Sequence, residues 1–415
     1  MQIKRQGQQA ETEVAEQPGG GRPHLRPVYV AGVGMTPFGK RTDQTLKDLA
    51  GAAVREAASG AGLSLDRVQV AYFGNAMAGL LAGQEMIRGQ VALRDVGIRR
   101  VPIFNVENAC ASASSAFHLA WQGVAAGIYD VALAVGAEKM VYADKGRTLD
   151  GLRSALDVEQ IPEAAAGAGS PLMELYAQEA REYLEHSDAT VRDFGAVAAK
   201  NQRHGALNPN AQHGGAVSIE EVLASREIAW PLTLLMCSPI SDGAAAAVLV
   251  SENLARTLGA RVRVAASTLA SALEDEARAR GVRVASAAAG RAYEMAALGP
   301  GDVAVAEVHD AAASAELMVY EDVGLAPFGQ GARLIRDGVT DLGGRVPVNA
   351  SGGLLARGHP IGATGLAQIH EIVLQLSGRA GPRQVEGARV GLTENGGGCL
   401  DGDNAAAAVH LFVRD

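Results

Sequence analysis

The chain has 415 residues, of which 48% are hydrophobic and 20% charged, a balance typical of a folded globular protein rather than a disordered or fibrous one. Its formal net charge of −9, with no dense stripe of lysine and arginine, argues against a nucleic-acid-binding protein. The three cysteines lie far apart and form neither a disulfide framework nor a metal-binding pair, so we expect a reducing, cytoplasmic compartment.

Residues 1–27 are polar and rich in glycine and proline, and we expect them to form a flexible arm. This segment has no apolar signal sequence, and no uncharged apolar run reaches 18 residues, so we expect no membrane span. From Val28 to about residue 140, apolar runs alternate with segments of helical periodicity. Because the runs are apolar on both faces, they predict an α/β fold with a sheet covered by helices on both sides.

The pattern changes between Val141 and Leu232, where several helical stretches are joined by polar loops. We interpret this part as an inserted loop or lid domain that shapes the binding site. Strands and helices then alternate again to the end of the chain. We therefore predict a first half over residues 28–262, which contains the insertion, and a second half over residues 263–415.

Two stretches far apart in the chain resemble each other, "FNVENACASASSAFHLA" and "VPVNASGGLLARGHPIGATGLAQ". Each combines a strand end with a valine and an asparagine, a turn of small residues carrying one reactive side chain, and a helix. An apolar strand follows in both cases. The repetition predicts two similar halves, whose reactive turns lie at the same face of a shared sheet structure.

The first of these turns holds Cys110 among alanines and serines at the start of a predicted helix. Unpaired N–H groups and partial positive charge at a helix start can lower the pKa of a thiol from about 8.5 to roughly 3.5–7.5. Small neighbours leave room for a substrate. The alternative is a structural cysteine buried at a helix–strand junction.

The second turn holds His359 between a glycine and a proline, a setting unusual for a core histidine. An imidazole there could take the proton of a nucleophilic thiol. A further strand ends at His309, which could donate to a developing oxyanion or have a structural role. In "LTENGGGCLDGDN" we expect the strand to end in three glycines whose N–H groups face a substrate carbonyl, although a plain loop with an incidental Cys399 is equally possible.

Five motifs in this order, "NVENACASASSA", "MCSPISDGAAAAVL", "VHDA", "NASGGLLARGHPIGATG" and "ENGGG", resemble the thiolase superfamily, most closely the sterol carrier protein X type thiolases. The resemblance implies two similar halves in a five-layered αβαβα fold with an inserted loop domain. It implies acyl transfer in lipid metabolism with coenzyme A thioesters as substrates, and no permanently bound cofactor or metal. It further implies a homodimer or tetramer and a possible small partner protein of zinc-ribbon and OB-fold type.

The resemblance also assigns roles by matching motif. Cys110 resembles the nucleophile, His359 the base and an oxyanion donor, and His309 the other donor around the thioester oxygen. The amides of Cys110 and Gly396 resemble a second oxyanion hole. Ser238 falls where the family contacts the pantetheine of coenzyme A.

One departure from the family pattern concerns the second cysteine, which exchanges a proton with the substrate α-carbon. Its two usual places hold Ala311, after the His-Asp pair, and Glu394 with Asn395, before the glycines. Cys399, just after the glycines, or Glu394 could substitute. Carbon–carbon bond chemistry is therefore left open, while an acyl-cysteine intermediate is expected. The alternatives are a thiolase-like lyase or aldolase that does not use the cysteine covalently, and a catalytically idle acyl-CoA-binding subunit of a complex.

Overall fold

The computed structural model of the protein describes residues 25–160, 170–271 and 281–415. Its strands in chain order are β1 (Val28–Met35), β2 (Val70–Gly74), β3 (Ile103–Val106), β4 (Val131–Glu138), β5 (Glu227–Ala229), β6 (Leu232–Thr233), β7 (Gly243–Ser251), β8 (Val262–Ser271), β9 (Val305–Glu307), β10 (Val390–Leu400) and β11 (Asp403–Arg414).

The α-helices in the same ranges are α1 (Leu46–Ala61), α2 (Ala78–Ala82), α3 (Arg88–Leu93), α4 (Ser112–Ala125), α5 (Lys145–Leu152), α6 (Pro171–His186), α7 (Val191–Gly205), α8 (Ile219–Ala224), α9 (Glu252–Leu258), α10 (Val284–Ala296), α11 (Ala313–Asp322), α12 (Gly331–Arg336), α13 (Gly353–Arg357) and α14 (Thr364–Leu376). Short 3₁₀ turns precede several of them. Two of these turns, Ala109–Ala111 and Ile361–Ala363, lead into the helices that border the site.

Nine strands form one mixed sheet in the order β3-β2-β4-β7-β1-β8-β11-β10-β9. On one side, β3, β2 and β4 are parallel while β7 and β1 pair antiparallel. On the other side, β9 and β10 are parallel while β11 and β8 pair antiparallel. The two sides join through a short β1–β8 seam of two residue pairs. This mirrored order bears out the two similar halves.

The counterpart of β3 in the second half is shorter than we predicted. Val348 makes a single parallel bridge to Ala306 of β9, instead of the strand expected before the His359 loop. Its neighbour Asn349 donates its N–H to the Ala306 carbonyl at 2.8 Å. The chain there turns away after one bridge, since the Asn349 backbone is left-handed, with φ of 56°.

Helices α4 and α14 pack against each other and against strands of both halves. One apolar cluster at this middle layer unites Phe117 of α4, Leu366 of α14, Val70 of β2 and Phe412 of β11, all fully buried. Burial of each such side chain contributes about 1.5–3 kcal/mol. Helix α1 covers the outer face of the first half and α10 that of the second, which gives the alternating αβαβα layers of a thiolase fold.

The predicted insertion, residues 141–232, lies between β4 and β7, which are neighbours in the sheet. Its described part contains helices α5 to α8 and the β5–β6 hairpin, while residues 161–169 lie outside the described ranges. Helix α7 packs against α11, α12 and α13 of the second half. An insertion in the first half therefore contributes to the surroundings of both reactive turns.

The glycines of "ENGGG" do not end a strand, contrary to our prediction. Strand β10 continues through them to Leu400 because β11 pairs with it along its whole length, with Gly397 opposite Ala406 and Cys399 opposite Asn404. The turn is instead made by Asp401 and Gly402, whose φ values of 52° and 76° suit a two-residue hairpin. The Asp-Gly pair was the signal for it in the sequence.

The flexible arm predicted for residues 1–27 lies mostly outside the described residues. Within the described part, Arg26 is anchored: its backbone N–H donates to the Ala125 carbonyl at 3.0 Å, and its Nε to Val124 at 2.7 Å. Its guanidinium also pairs with Asp130 at 2.9 Å. These contacts fix the chain just before β1.

Candidate active site

Cys110 sits in the 3₁₀ turn that joins β3 to α4, and its side chain is only 4% exposed. The residue before it, Ala109, has a left-handed backbone with φ of 46°, which is uncommon for a residue with a side chain. The turn is held by Glu107, which accepts the Ala109 N–H at 2.5 Å, and by Ser112, which donates to the Ala109 carbonyl at 2.7 Å. Local strain at such a turn persists because the surroundings fix it.

Strand β10 runs directly beside this turn. A Cβ at Gly397 would come within 2.2 Å of the Asn108 carbonyl oxygen and 2.6 Å of the Ala111 nitrogen. Both atoms belong to the backbone and cannot swing aside. A residue without a side chain is thus required for β10 to approach the cysteine turn.

His359 follows Gly358, whose φ of 105° allows the sharp turn before it. Its backbone N–H donates to Ser241 Oγ at 3.1 Å, and its Nδ1 lies 2.7 Å from Thr364 Oγ1. The Thr364 hydroxyl donates its proton to the Pro360 carbonyl at 3.0 Å. It must therefore accept from the histidine, which fixes the proton on Nδ1 and leaves the Nε2 lone pair free as a base.

His309 has the opposite tautomer. Ser114 Oγ donates to Oδ1 of Asn395 at 2.9 Å, so the amide group of Asn395 turns its Nδ2 toward Nδ1 of His309, 2.8 Å away. This nitrogen accepts, and the proton of the neutral ring is on Nε2. The next residue, Asp310, accepts from Asn201 and from the Leu354 N–H.

The three predicted side chains come together. The Cys110 sulfur and one ring nitrogen of each of His309 and His359 all lie within 4.8 Å of one another. The two rings stand at 82°, with centroids 5.2 Å apart. A thiol, an imidazole with a free lone pair and an imidazole with an N–H donor thus lie close together.

The pKa of Cys110 moves in the direction opposite to our prediction. Burial raises the pKa of this thiol to about 12, and the amide N–H of Gly398, directed at the sulfur, offsets only part of the shift. Burial, with the charges of His309 and Arg357, lowers the pKa of His359 well below its usual value. The resting pair is therefore a neutral thiol and a neutral imidazole, because the site is too dry to hold either charge.

The same group of three is the one set among the described His, Cys, Asp and Glu residues close enough to hold a metal ion. A thiolate and two imidazoles are good ligands for Zn²⁺. A bound ion would occupy the sulfur and nitrogen atoms that a thioester reaction needs, so metal binding and acyl transfer would compete.

Next to this group lies Glu394, 1% exposed, whose Oε2 accepts the backbone N–H of His309 at 3.0 Å. Burial raises the pKa of its carboxyl to about 8. Cys399 lines the same cavity and is half-buried, and burial raises the pKa of its thiol to about 11. Both groups that could replace the missing second cysteine therefore reach this cavity.

The cavity over Cys110 is narrow, with about 40 Å³ open to the centres of water-sized molecules. Its walls come from the Cys110 turn, from α6 and α11, from Arg283 just before α10, and from β10 and β11. The lining residues are Cys110, Ala155, Leu172, Leu175, Tyr176, Glu179, Arg283, His309, Ala315, Met318, Val319, Glu394, Gly396, Gly397, Gly398, Cys399, Asp403 and Asn404.

For two of the predicted site residues, the contacts in the structure relate less directly to the expected role. Gly396 lines the cavity, but it is the amide of Gly398 that is directed at the sulfur. Ser238 is half-buried, and its backbone N–H donates to the Ala311 carbonyl at 3.0 Å. It is not among the described residues that line the cavity, although Ile240, two residues later, bridges to His359.

Our sequence analysis gave no role to the residues that set the histidine tautomers, Thr364, Asn395 and Ser114. Thr364 begins a helix five residues after His359, and this closeness was a usable signal. Ser114 and Asn395 are 281 positions apart, so no local pattern connects them.

We also find no helix among the described residues that is long and apolar enough to cross a membrane.

Comparison with known families gives two matches along the chain. The thiolase N-terminal domain matches residues 28–218, and the thiolase C-terminal domain-like family matches residues 265–409. Among curated relatives, an acetyl-CoA acetyltransferase of Methanothermobacter thermautotrophicus is 40% identical over 394 residues, which cover 94% of this chain and 100% of that protein.

A benzoylsuccinyl-CoA thiolase subunit, BbsB, of Thauera aromatica is 39% identical and covers 90% of this chain and 96% of its own length. Human sterol carrier protein 2 is 36% identical, with 89% and 70% covered. A solved structure described as an Ltp2-ChsH2(DUF35) aldolase superimposes with a TM-score of 0.77 at 25% identity, covering 95% and 99% of the two chains. Human mitochondrial 3-ketoacyl-CoA thiolase in complex with CoA shares the fold, with a TM-score of 0.71 at 19% identity and 94% and 99% coverage.

Proposed function

The chain belongs to the thiolase family, and on that premise we propose that Cys110 is the nucleophile of a thiolase-like acyltransferase that uses acyl-CoA substrates. The observation that carries the proposal is the convergence of the Cys110 sulfur with the two histidines, whose hydrogen bonds give them complementary tautomers. The ring of His359 offers a lone pair, and the ring of His309 offers an N–H.

In the first step the Cys110 sulfur attacks the thioester carbonyl carbon while its proton moves to Nε2 of His359. The carbonyl oxygen becomes an oxyanion that accepts from Nε2–H of His309. The bond from carbon to the sulfur of coenzyme A then breaks, and His359 returns the proton to that sulfur. The products are acyl-Cys110 and free coenzyme A.

The raised thiol pKa is compatible with this step. A free thiolate does not need to accumulate, because the proton leaves as the carbon–sulfur bond forms. The low pKa of His359 keeps the imidazole neutral, and so able to act as a base, well below pH 6.5. Transfer within a water-excluded site also protects the acyl-cysteine from hydrolysis.

In the second step the acyl group passes to coenzyme A or to a carbon nucleophile. We assign the amides of Cys110 and Gly396 to the oxyanion of this step, on the family motif and on the place of Gly396 in the cavity wall. Ser238 is proposed to contact the pantetheine arm. The described lid helix α6, which supplies Leu172, Leu175 and Tyr176 to the cavity, is proposed to select the acyl chain.

The test is intact-protein mass spectrometry after incubation with acetyl-CoA and several longer acyl-CoAs. We expect an added acyl mass on the wild type and on Cys237→Ala, and none on Cys110→Ala. Cys237 is a matched control, since its thiol donates to the Thr233 carbonyl and it is not among the described residues that line the cavity. If no donor labels the wild type in the presence of its co-purified partners, or if Cys110→Ala is labelled equally, the nucleophile assignment is wrong.

A second candidate function is a lyase or aldolase on a CoA ester that does not use the cysteine covalently. It is favoured by the structural neighbour described as an aldolase. This function predicts normal cleavage of a β-hydroxyacyl-CoA by Cys110→Ala. An idle acyl-CoA-binding subunit predicts no turnover by either protein, with the CoA ester still bound.

Further proposals concern assembly and location. We propose a homodimer or tetramer and a small zinc-ribbon/OB-fold partner, supported by the neighbour whose name joins Ltp2 to a DUF35 protein. Co-expression followed by light scattering tests both. Three free cysteines support a cytoplasmic location. If a partner is required, the acyl adduct should form only in the co-purified complex.

A further inference from the structure

The inference concerns the proton of the substrate α-carbon and rests on the proposed function. A carbon nucleophile forms only when a base removes this proton close to the acyl-cysteine. Ala311, in one of the two places where the family has its second cysteine, has a methyl side chain and cannot do so. The cavity around Cys110 must supply another group if the chain makes or breaks carbon–carbon bonds.

Glu394 reaches the cavity from β10, just beyond the point where this strand pairs with β9. One carboxylate oxygen, Oε2, is fixed by the N–H of His309 at 3.0 Å. Alternation along the strand places Glu394 and Gly396 on the same face. The carboxylate is therefore tied to the backbone of an oxyanion donor and shares a wall with the proposed second oxyanion hole.

The other oxygen, Oε1, is buried and has no hydrogen-bond partner among the described residues. A buried carboxylate oxygen without a partner costs free energy, because its contacts with water are lost and not replaced. Such an atom is common where a ligand supplies the missing contact. Glu394 itself is one of the residues that line the cavity beside Cys110.

Cys399 is the competing group, and its position is less suitable. It lies five residues further along β10, past Gly398, whose amide is directed at the Cys110 sulfur. Its backbone bridges to Leu156 at the more exposed end of the strand. A thiol with a pKa raised to about 11 is also a scarce base near neutral pH, whereas a carboxyl with a pKa near 8 has both forms available.

We propose that Glu394 is the catalytic acid–base residue that exchanges the α-proton of the CoA ester attacking acyl-Cys110. The α-carbon C–H bond breaks and an O–H bond forms at Oε1. The resulting enolate attacks the acyl carbonyl, a carbon–carbon bond forms, and the bond to the Cys110 sulfur breaks. Glu394 then gives its proton to the cysteine thiolate, which restores both residues without any oxidant or reductant.

The experiment follows two half-reactions in the same sample. Wild-type protein, with any co-purified partner, is incubated with acetyl-CoA in D₂O. Mass spectrometry then measures the acyl adduct on the protein and the deuterium in the acetyl group of the recovered CoA ester. For Glu394→Gln, which keeps the shape, we expect the adduct to form while deuterium uptake falls by about 100-fold or more, the usual size of an acid–base contribution. Cys237→Ala should match the wild type in both.

Three outcomes would overturn the proposal: deuterium uptake that persists in Glu394→Gln, uptake that is lost in Cys399→Ala while its adduct remains, or a wild type that forms the adduct without uptake. If Glu394→Gln loses the adduct as well, Glu394→Asp decides. Return of the adduct in Glu394→Asp supports the proposal, with or without full uptake, because a shorter carboxylate can miss the α-proton. Loss of the adduct again would contradict a role confined to the α-proton. A wild type with no adduct would instead refute the proposed nucleophile, so the two failures are distinguishable.

Discussion

At the scale of single residues, the chemistry of the site depends on which ring nitrogen of each of the two histidines carries the proton. Thr364 and Asn395 give the two active-site histidines opposite tautomers, one with a free Nε2 lone pair and one with an Nε2–H donor. Neither partner carries a charge. Neutral hydrogen bonds suit a cavity in which burial disfavours both the thiolate and the imidazolium.

Thr364→Val tests this positioning, because valine keeps the shape of the buried threonine but cannot accept the Nδ1 proton. Without that bond, His359 loses its preference for the reactive tautomer and its fixed orientation. We expect the rate of Cys110 acylation to fall by about 10- to 100-fold, part of the 10²–10⁴ that a positioned base supplies. Stopped-flow release of coenzyme A measures the rate.

The matched control is Thr364→Ser, which keeps the hydroxyl and should retain most of the rate. A variant that merely loosens the fold would lower the thermal midpoint in proportion to the rate. Equal rates for Thr364→Val and the wild type would show that the tautomer is set by something else.

At the scale of elements, the site is built where three backbone segments approach closely. The cysteine turn, the His359 loop and β10 meet at small residues. Glu138 fastens two of the surrounding loops, since its buried carboxylate accepts the N–H groups of Ala76 and Gly362. This bridge joins the first half of the chain to the loop that contains His359.

Gly397→Ala tests the approach of β10. The new Cβ would come within 2.2 Å of the Asn108 carbonyl oxygen, so the cysteine turn must move away. We expect a loss of about 1–3 kcal/mol in the free energy of unfolding, as for other overpacked sites, and acylation at least tenfold slower. Chemical denaturation and adduct formation measure the two effects.

Its control is Gly402→Asn in the hairpin turn of the same strand. Gly402 has a left-handed backbone with φ of 76° and open space around its Cβ position, and asparagine tolerates this conformation. The cost should stay below about 1 kcal/mol, with normal acylation. Similar losses for both variants would mean that the close contact with the cysteine turn is unimportant.

Helix α6 gives a prediction about acyl selection. Tyr176 lines the narrow cavity over Cys110, where about 40 Å³ is open to water-sized molecules. Tyr176→Ala would make room for further methylenes, each worth about tenfold or more in an apolar pocket. We expect the ratio of hexanoyl to acetyl adduct formation to rise by about tenfold.

In this comparison Tyr176→Phe is the control, since it removes only the hydroxyl and keeps the volume. Its ratio should equal that of the wild type. An unchanged ratio in Tyr176→Ala would show that the acyl chain leaves the cavity by another wall.

At the scale of the whole molecule, burial keeps many titratable groups neutral. Six histidines have a pKa lowered mainly by burial: His118, His213, His309, His359, His370 and His410. Six carboxyls have a pKa raised mainly by burial: Glu138, Glu179, Glu307, Asp310, Asp322 and Glu394. The two sets respond to acid in opposite directions.

As the pH falls below 6.5, the histidines of the unfolded chain take up protons that the folded chain refuses, which lowers the free energy of unfolding by about 1.4 kcal/mol per histidine and pH unit. The carboxyls act in reverse. In the folded chain these carboxyls take up protons from about pH 6–8 downward. In the unfolded chain the same carboxyls take up protons only near pH 4.5. Their contribution to stability therefore grows over the same interval.

We expect a nearly level free energy of unfolding between about pH 6.5 and 4.5, followed by a steep loss below pH 4.5. There the histidines still differ between the two states, as do carboxyls with a lowered pKa such as Asp193 and Asp341. Guanidinium unfolding midpoints from pH 7.5 to 3.5 measure this. A steady decline that begins at pH 6.5 would contradict the compensation.

The sequence by itself determined the family, the order of the two halves and the three side chains that meet at the site. The reactive turns around Cys110 and His359, and the strand end at His309, are local patterns of small residues, turns and apolar runs. Such patterns can be read from the sequence because they depend on residues that are close together in the chain. The alternation of strands and helices predicted the layered fold for the same reason.

Only the tertiary structure decided the protonation states, the course of β10 and the geometry around the missing second cysteine. The predicted low pKa of Cys110 was wrong because desolvation by distant segments outweighs the helix start. The glycines continue a strand because β11 pairs with them. The Ser114–Asn395 bond joins residues 281 positions apart. Dielectric environment and long-range contacts exist only once the chain has folded, and they control the chemistry of the site.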